Sequence, residues 1–383
     1  MDFSRYDTHP QYASFVGEVS NYLDEVLTEQ LVAETKRRQD EHDPDFFSAL
    51  GRRGWVVPDW APADGGAGLD YRQIEILDTE VAKREGPVLN VSTTRMTLPT
   101  VAKYARDPIR ERVIRDVVAG NSAVLLGYTE PDGGSDIATV KTRATRRDDG
   151  SWLIQGGKAF TSGAHHAKYV FLIANTNPSG PKRKNLTIFL LPLATPGVDV
   201  APIYTLGERS NMLHLSDVVL GDEYRVGEID DGWTVLSDPL AAEHGTNGTS
   251  ERPNGYLPRA YARNLALALD TTMEWIDSPD SPLSKEDPLV LRTIGEVSRL
   301  IASSTATFGM TGRIAAAEAE VQGAALLMDL IGADSIVDED APTSVAQRVF
   351  RKGQVSLTYG GTVEVIKNVL GRALGLPPQR YGN

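Results

Sequence analysis

The sequence has no cysteine among its 383 residues. Disulfides, thiolate metal sites and cysteine nucleophiles are therefore excluded. Positive charge is also scarce: 39 Lys and Arg stand against 52 Asp and Glu, a formal net charge of −13. A nucleic-acid surface needs a basic patch, so that class is set aside, although an acidic average still allows a local basic site for an anionic substrate. No apolar run reaches membrane-spanning length, and the opening stretch from Met1 to Tyr6 has no apolar signal core. A cytoplasmic protein is the expectation. No Gly-x-Gly-x-x-Gly follows a strand pattern, and no Gly-x-Ser-x-Gly elbow occurs, which removes a Rossmann nucleotide site and a serine hydrolase. His165 and His166 adjoin. On a strand they point to opposite sides, so the expectation is that no metal is held.

What is present is an ordinary globular composition, 41% hydrophobic and 24% charged, long enough for two or three domains. Tyr12, Phe15, Val16, Val19, Leu23, Val26 and Leu27 recur at three- and four-residue steps, which predicts a helix over 12–38. Similar spacing at 45–50, 71–85 and 98–119 makes residues 1–120 a helical domain. The rhythm changes near residue 121. Val140, Thr142 and Ala144 alternate with polar neighbours, and Asp148-Asp149-Gly150 reads as a hairpin turn before Trp152. Short strands are expected at 169–174, 186–191, 198–202 and 213–220. Residues 121–230 therefore form a β domain, a barrel or two packed sheets. Alanine- and leucine-rich helices follow at 256–276, 286–309, 312–332 and 342–357, and suit an antiparallel four-helix bundle over 231–383. The fold class expected is α+β, in the order helices, β domain, bundle.

Two runs stand out for chemistry. The first is Gly127-Tyr128-Thr129-Glu130-Pro131-Asp132-Gly133-Gly134-Ser135-Asp136. The second is Gln155-Gly156-Gly157-Lys158-Ala159-Phe160-Thr161-Ser162-Gly163-Ala164. Glycines let a backbone approach a ligand and present its N–H groups. By residue type alone the first run is either a surface turn or half of a cradle for a flat, phosphate-bearing cofactor. In this order and spacing the pair resembles the acyl-CoA dehydrogenase family, whose members carry Thr-Glu-Pro-x-x-Gly-Ser-Asp and then Gly-x-Lys-x-aromatic-x-Ser/Thr.

The resemblance implies FAD, an acyl-CoA substrate and removal of two hydrogens from adjacent carbons. It places Thr129 at the isoalloxazine edge, Ser135 at the pyrophosphate, Phe160 over the flavin and Ser162 near its reactive nitrogen. Tyr128, Gly134, Thr161 and Thr362 complete the implied cofactor set. The usual family base is Glu in a Tyr-Glu-Gly-Thr run. Here the run is Tyr359-Gly360-Gly361-Thr362, and Gly360 cannot accept a proton. Some members carry the base on the first bundle helix instead. The stretch from Gly232-Trp233 to Glu243-His244 fits that pattern and makes Glu243 the implied base, with His244 where Arg is usual. By residue type alone, Glu243 reads as an exposed helix carboxylate. Glu251, the nearest competitor, lies in a polar loop over 245–254.

Two family segments are missing. Residues 276–282 lack an Arg-x-x-Phe-Gly motif, and residues 329–334 lack Gln-x-x-Gly-Gly-x-Gly. In the family both reach the FAD of a neighbouring subunit, so their loss implies flavin contacts from a different chain, as in mixed α2β2 members. The implied partners are acyl-CoA, an acceptor resembling electron-transfer flavoprotein, and a homo- or hetero-oligomer. Two other readings stay open: a catalytically silent, FAD-sharing subunit, and a flavin oxidase or monooxygenase on the same fold.

Overall fold

The computed structural model describes residues 10–40, 42–87, 89–244, 256–279, 281–307, 309–336 and 343–377. The chain divides into two compact units, one of residues 14–240 and one of residues 1–13 with 241–383. Each is taken by itself.

The first unit opens with six helices: α1 Ala13–Val26, α2 Glu29–Arg38, α3 Pro44–Arg52, α4 Tyr71–Lys83, α5 Leu89–Tyr104 and α6 Ile109–Val118. The single helix expected over 12–38 is two. Thr28 takes an extended conformation (φ −68°, ψ 152°), and its hydroxyl accepts from the Leu31 N–H, which starts α2 afresh. Asp43, with Pro44 behind it, starts α3 in the same way, and Asp70 with Gln73 forms a reciprocal capping box on α4.

Eight strands follow: β1 Val124–Gly127, β2 Arg143–Arg146, β3 Trp152–Lys158, β4 Tyr169–Asn175, β5 Leu186–Pro192, β6 Val198–Tyr204, β7 Arg209–Leu220 and β8 Arg225–Val226. They form one connected sheet in the order β6-β7-β3-β2-β4-β5-β8, with β1 running parallel beside β4. β2 and β3 are antiparallel across the turn that contains Gly150, as their alternation predicts. β4 and β5 are buried on both faces, which explains their unbroken apolar runs. Val19, Leu23, Phe46, Phe47, Val113 and Val117 from the helices share one core with Phe171 and Phe189 of the sheet. Each such side chain contributes about 1.5–3 kcal/mol on burial. Helices and sheet therefore support each other, and the loops that leave β1 and β3 stand on a rigid base.

Helix α7, Gly232–His244, runs across the division between the units. Beyond it lie α8 Tyr256–Ile276, α9 Pro288–Ala306, α10 Gly309–Ile331, α11 Ser344–Ser356 and α12 Val363–Ala373. α10 is the central helix and packs against α8, α9, α11 and α12. Its buried face is Ala316, Ala317, Ala319, Gly323 and Ala324. A Cβ on Gly323 would sit 2.6 Å from the Leu265 side chain, so the small residues set how closely α8 approaches. Among the described residues, no helix is long and apolar enough to cross a membrane.

Candidate active site

The two sequence motifs meet in the first unit. Past β1 the chain turns at Glu130 and Gly133, whose backbones exchange two hydrogen bonds of 3.0 Å. Gly134 lies against Thr129, where a Cβ would come within 2.9 Å of the Thr129 methyl. The Ala159 N–H donates to the Thr129 carbonyl at 2.9 Å, so the second motif runs alongside the first. A buried ion pair bolts them together. The Glu130 carboxylate accepts from the Lys158 ammonium at 2.8 Å and from the N–H groups of Lys141 (2.7 Å) and Thr142 (2.8 Å). Burial alone would raise the Glu130 carboxyl, but the Lys158 charge and the three donors outweigh it and hold it below the usual carboxylate range. Burial pulls the Lys158 ammonium down to about 8, against the attraction of Glu130. Neither residue was singled out in the sequence. A lysine and a glutamate within two adjoining Gly-rich motifs was the available signal.

Phe160 is 51% exposed and sits at φ +58°, in the left-handed region. For a bulky residue that conformation costs about 1–2 kcal/mol. A strained, outward-facing aromatic suits a flat ring that stacks on it, so these residues fit the flavin the resemblance implies. Next to it, Thr161 is buried and its hydroxyl has no hydrogen-bond partner among the described residues. The Ser162 hydroxyl lies 2.9 Å from that of Ser210 and 3.5 Å from a carboxyl oxygen of Glu208. Burial pushes the Glu208 carboxyl up to about 7, against that hydroxyl contact. Ser135 is exposed, and Tyr128 turns its ring towards Phe171, 6.3 Å away.

The histidine pair corrects an expectation. β3 ends at Lys158, and residues 162–166 form a turn, so His165 and His166 do not alternate across a strand. Both Nε2 atoms reach the same Asp40 carboxyl oxygen, at 2.7 and 2.8 Å. Burial would raise Asp40, but the two imidazoles outweigh it and hold it well below the usual carboxylate range. Burial and the neighbouring His166 pull His42 down to about 3. The three ligand-type atoms of Asp40, His165 and His166 lie within 4.8 Å of one another, a grouping the sequence hid because 126 positions separate its ends.

In the second unit Glu243 lies near the end of α7. The residue is half-buried as a whole, but its carboxyl is the enclosed part. Burial pushes it up to about 7, with the Arg313 charge acting against that rise. Gly360 accounts for the space it occupies. It sits at φ +64°, and a Cβ there would come within 2.9 Å of the Glu243 Cγ and of the Leu257 side chain. A side chain at position 360 would therefore crowd Glu243, and glycine leaves that space open. Arg313 of α10 is fully buried, lies 4.9 Å over the Tyr261 ring, and donates to the Ser356 carbonyl (2.9 Å) and the Tyr359 carbonyl. Glu320, two turns further on, is buried and accepts from Asn264 at 2.9 Å. Burial pushes its carboxyl up to about 7, against the Asn264 bond and the Arg313 charge. Arg313 and Glu320, seven residues apart on an alanine-rich face, were the signal for this cluster. The Thr362 hydroxyl caps α12 by accepting from the Val365 N–H at 3.2 Å. Glu251 and its loop lie outside the described residues.

Helices, then a sheet with paired Gly-rich motifs, then an alanine-rich helical region define the class: an acyl-CoA dehydrogenase fold. The family model for the acyl-CoA dehydrogenase middle domain matches residues 126–220, and that for the N-terminal domain matches residues 10–121. Together they span more than half of the chain. Acyl-CoA dehydrogenase FadE29 of Mycobacterium tuberculosis is 26% identical over 300 residues, 76% of this chain and 73% of that protein. The solved Tcur3481-Tcur3483 steroid ACAD is similar in fold, with a TM-score of 0.82 at 24% identity, covering 97% of this chain and 99% of that one. The ChsE4-ChsE5 complex from Mycobacterium tuberculosis gives 0.80 at 23% identity, with coverage of 97% and 99%. The chain belongs to the acyl-CoA dehydrogenase family of oxidoreductases.

Proposed function

We propose that the chain carries out FAD-dependent α,β-dehydrogenation of an acyl-CoA thioester, with Glu243 taking the α-proton. The observation that carries this reading is the Glu243 carboxyl, enclosed and pushed up to about 7 beside a glycine whose side chain would displace it. A carboxylate with its pKa near the working pH is both ionised enough to accept a proton and basic enough to hold it. An ordinary exposed glutamate is a far weaker base. FAD, when bound, accepts the β-hydrogen with its electron pair. Thr129, Gly134, Ser135, Phe160, Thr161 and Ser162 would hold it in the first unit, with Tyr128 packed behind them. Thr362, which caps α12, is the remaining residue that the family resemblance assigns to the cofactor. The acceptor of the electrons is a protein resembling electron-transfer flavoprotein.

The chain shares its flavin site with a different subunit. The support is the absence of the Arg-x-x-Phe-Gly and Gln-x-x-Gly-Gly-x-Gly segments, with Asp277-Ser278-Pro279 and Gly332-Ala333-Asp334 in their regions. Two of the solved neighbours are named as pairs of proteins, which supports this reading. Gly360 at the usual base position also favours a second reading, in which this chain is the silent member of the pair. Glu243→Gln in the FAD-loaded complex separates the two. The catalytic reading predicts that a panel of acyl-CoAs, titrated without air, no longer bleaches the flavin while the flavin stays bound. Bleaching at the wild-type rate would leave the silent reading in place.

A further inference from the structure

We propose that Asp40 is a positioning residue for the flavin-facing segment 160–162, acting through His165 and Asn211. This rests on the flavin reading of that segment, but the geometry behind it does not. Phe160 is clamped at both neighbours. On one side the Ala159 N–H donates to the Thr129 carbonyl at 2.9 Å. On the other, the Thr161 N–H donates to the Asn211 carbonyl at 3.0 Å, and the Asn211 side-chain amide donates back to the Thr161 carbonyl at 3.0 Å. A strained backbone persists only where its surroundings over-determine it. Asn211 therefore holds one half of the strain at Phe160.

Asn211 is itself oriented. Its Nδ2 faces the Thr161 carbonyl, so the same nitrogen must be the atom 3.3 Å from His165 Nδ1. An amide NH₂ only donates, so His165 Nδ1 is the bare nitrogen of a neutral ring. The ring proton then sits on Nε2 and is donated to Asp40 at 2.7 Å. A proton on Nε2 is incompatible with a metal there, so the Asp40, His165 and His166 grouping is a hydrogen-bonded clasp. His166 and the buried His42 are the other titratable groups against Asp40. The clasp has a second tether, from the Arg209 N–H to the Gln39 carbonyl at 2.8 Å. Gln39 is also at positive φ, +52°, so the chain entering the clasp is fixed as firmly as the segment it serves. The path runs from the end of α2 through buried Asp40, His165 and fully buried Asn211 to Thr161.

Four readouts test it on the full chain, alone and as the FAD-loaded complex. The first uses ¹⁵N-histidine NMR of the flavin-free chain. His165 protonated at Nε2 is expected, and protonation at Nδ1 would overturn the proposal. The second follows ¹⁹F NMR of fluorophenylalanine-labelled protein, with Phe160 assigned by Phe160→Leu. In Asp40→Ala the Phe160 resonance should shift or broaden while those of the core phenylalanines hold. An unmoved Phe160 would overturn the proposal whether or not flavin binds. The third is FAD affinity, expected to fall about ten-fold in Asp40→Ala, the scale of one charge-assisted hydrogen bond. Wild-type affinity would contradict it, and a wild-type complex that takes no FAD would instead sink the flavin reading. Should Asp40→Ala fail to fold, Asp40→Asn carries the same measurements. Calorimetric titration with zinc should show no stoichiometric binding; tight binding lost in His165→Ala would replace the clasp with a metal centre.

Discussion

Glu130 and Glu243 are the same residue type, each with an enclosed carboxyl, and they titrate in opposite directions. Glu130 is wrapped by two backbone N–H groups and the Lys158 ammonium, and is held below the usual carboxylate range despite its burial. Glu243 receives no hydrogen bond from any described residue, and burial pushes it up to about 7 against the Arg313 charge. Desolvation acts on both; the donors decide the outcome. A fully bonded carboxylate has no basicity to spare and joins two motifs. An under-bonded one keeps its appetite for a proton. The contrast separates a carboxylate that joins two motifs from the one proposed as a base.

The comparison breaks first at its structural end. Lys158→Met leaves Glu130 buried and unpaired, a loss of about 3–5 kcal/mol. Thermal unfolding should show a large fall in midpoint, and a midpoint unchanged from wild type would mean the pair is not what holds the motifs together. Glu243→Gln should do the reverse. The folded-state pKa of Glu243 lies above its unfolded value of 4.5, so the protonated form is the one the fold favours. That stability is fully present below about 4.5 and is lost as pH rises through about 7. The neutral glutamine escapes the loss, so the variant should match wild type at pH 4 and gain about 1–3 kcal/mol at pH 8. Equal stability at both pH values would place the carboxyl in water. Gly360→Ala is the smaller perturbation. Its backbone strain costs about 1–2 kcal/mol, and its Cβ displaces the Glu243 side chain from 2.9 Å. Flavin reduction should slow more than the melting point falls; a purely thermal effect would remove Gly360 from the site.

Much of this was legible in the sequence, and what was not has a common cause. The helix over 256–276 was placed to the residue because its apolar steps are local. The paired motifs were readable because each is contiguous. The split of the first helix was also written locally, in Thr28 and its bond to Leu31, but a long apolar stripe overrode it. The Asp40 clasp, the Glu130 pair and the Arg313 cluster join residues 125, 28 and 43 positions apart. No pattern along the chain states such a contact. His165 and His166 were misjudged because alternation was assumed where the backbone turns.

The central claim is that Glu243 acts as an ionised base with its pKa raised by enclosure. The most direct measurement is the rate of substrate-driven flavin reduction across pH, in the FAD-loaded complex, for wild type and Glu243→Gln. The rate should climb with pH along a limb centred near 7, as the carboxylate forms, and the variant should lose about 10²–10⁴-fold and the limb with it. A limb in the ordinary glutamate range near 4.5, or one that survives in the variant, would contradict the account.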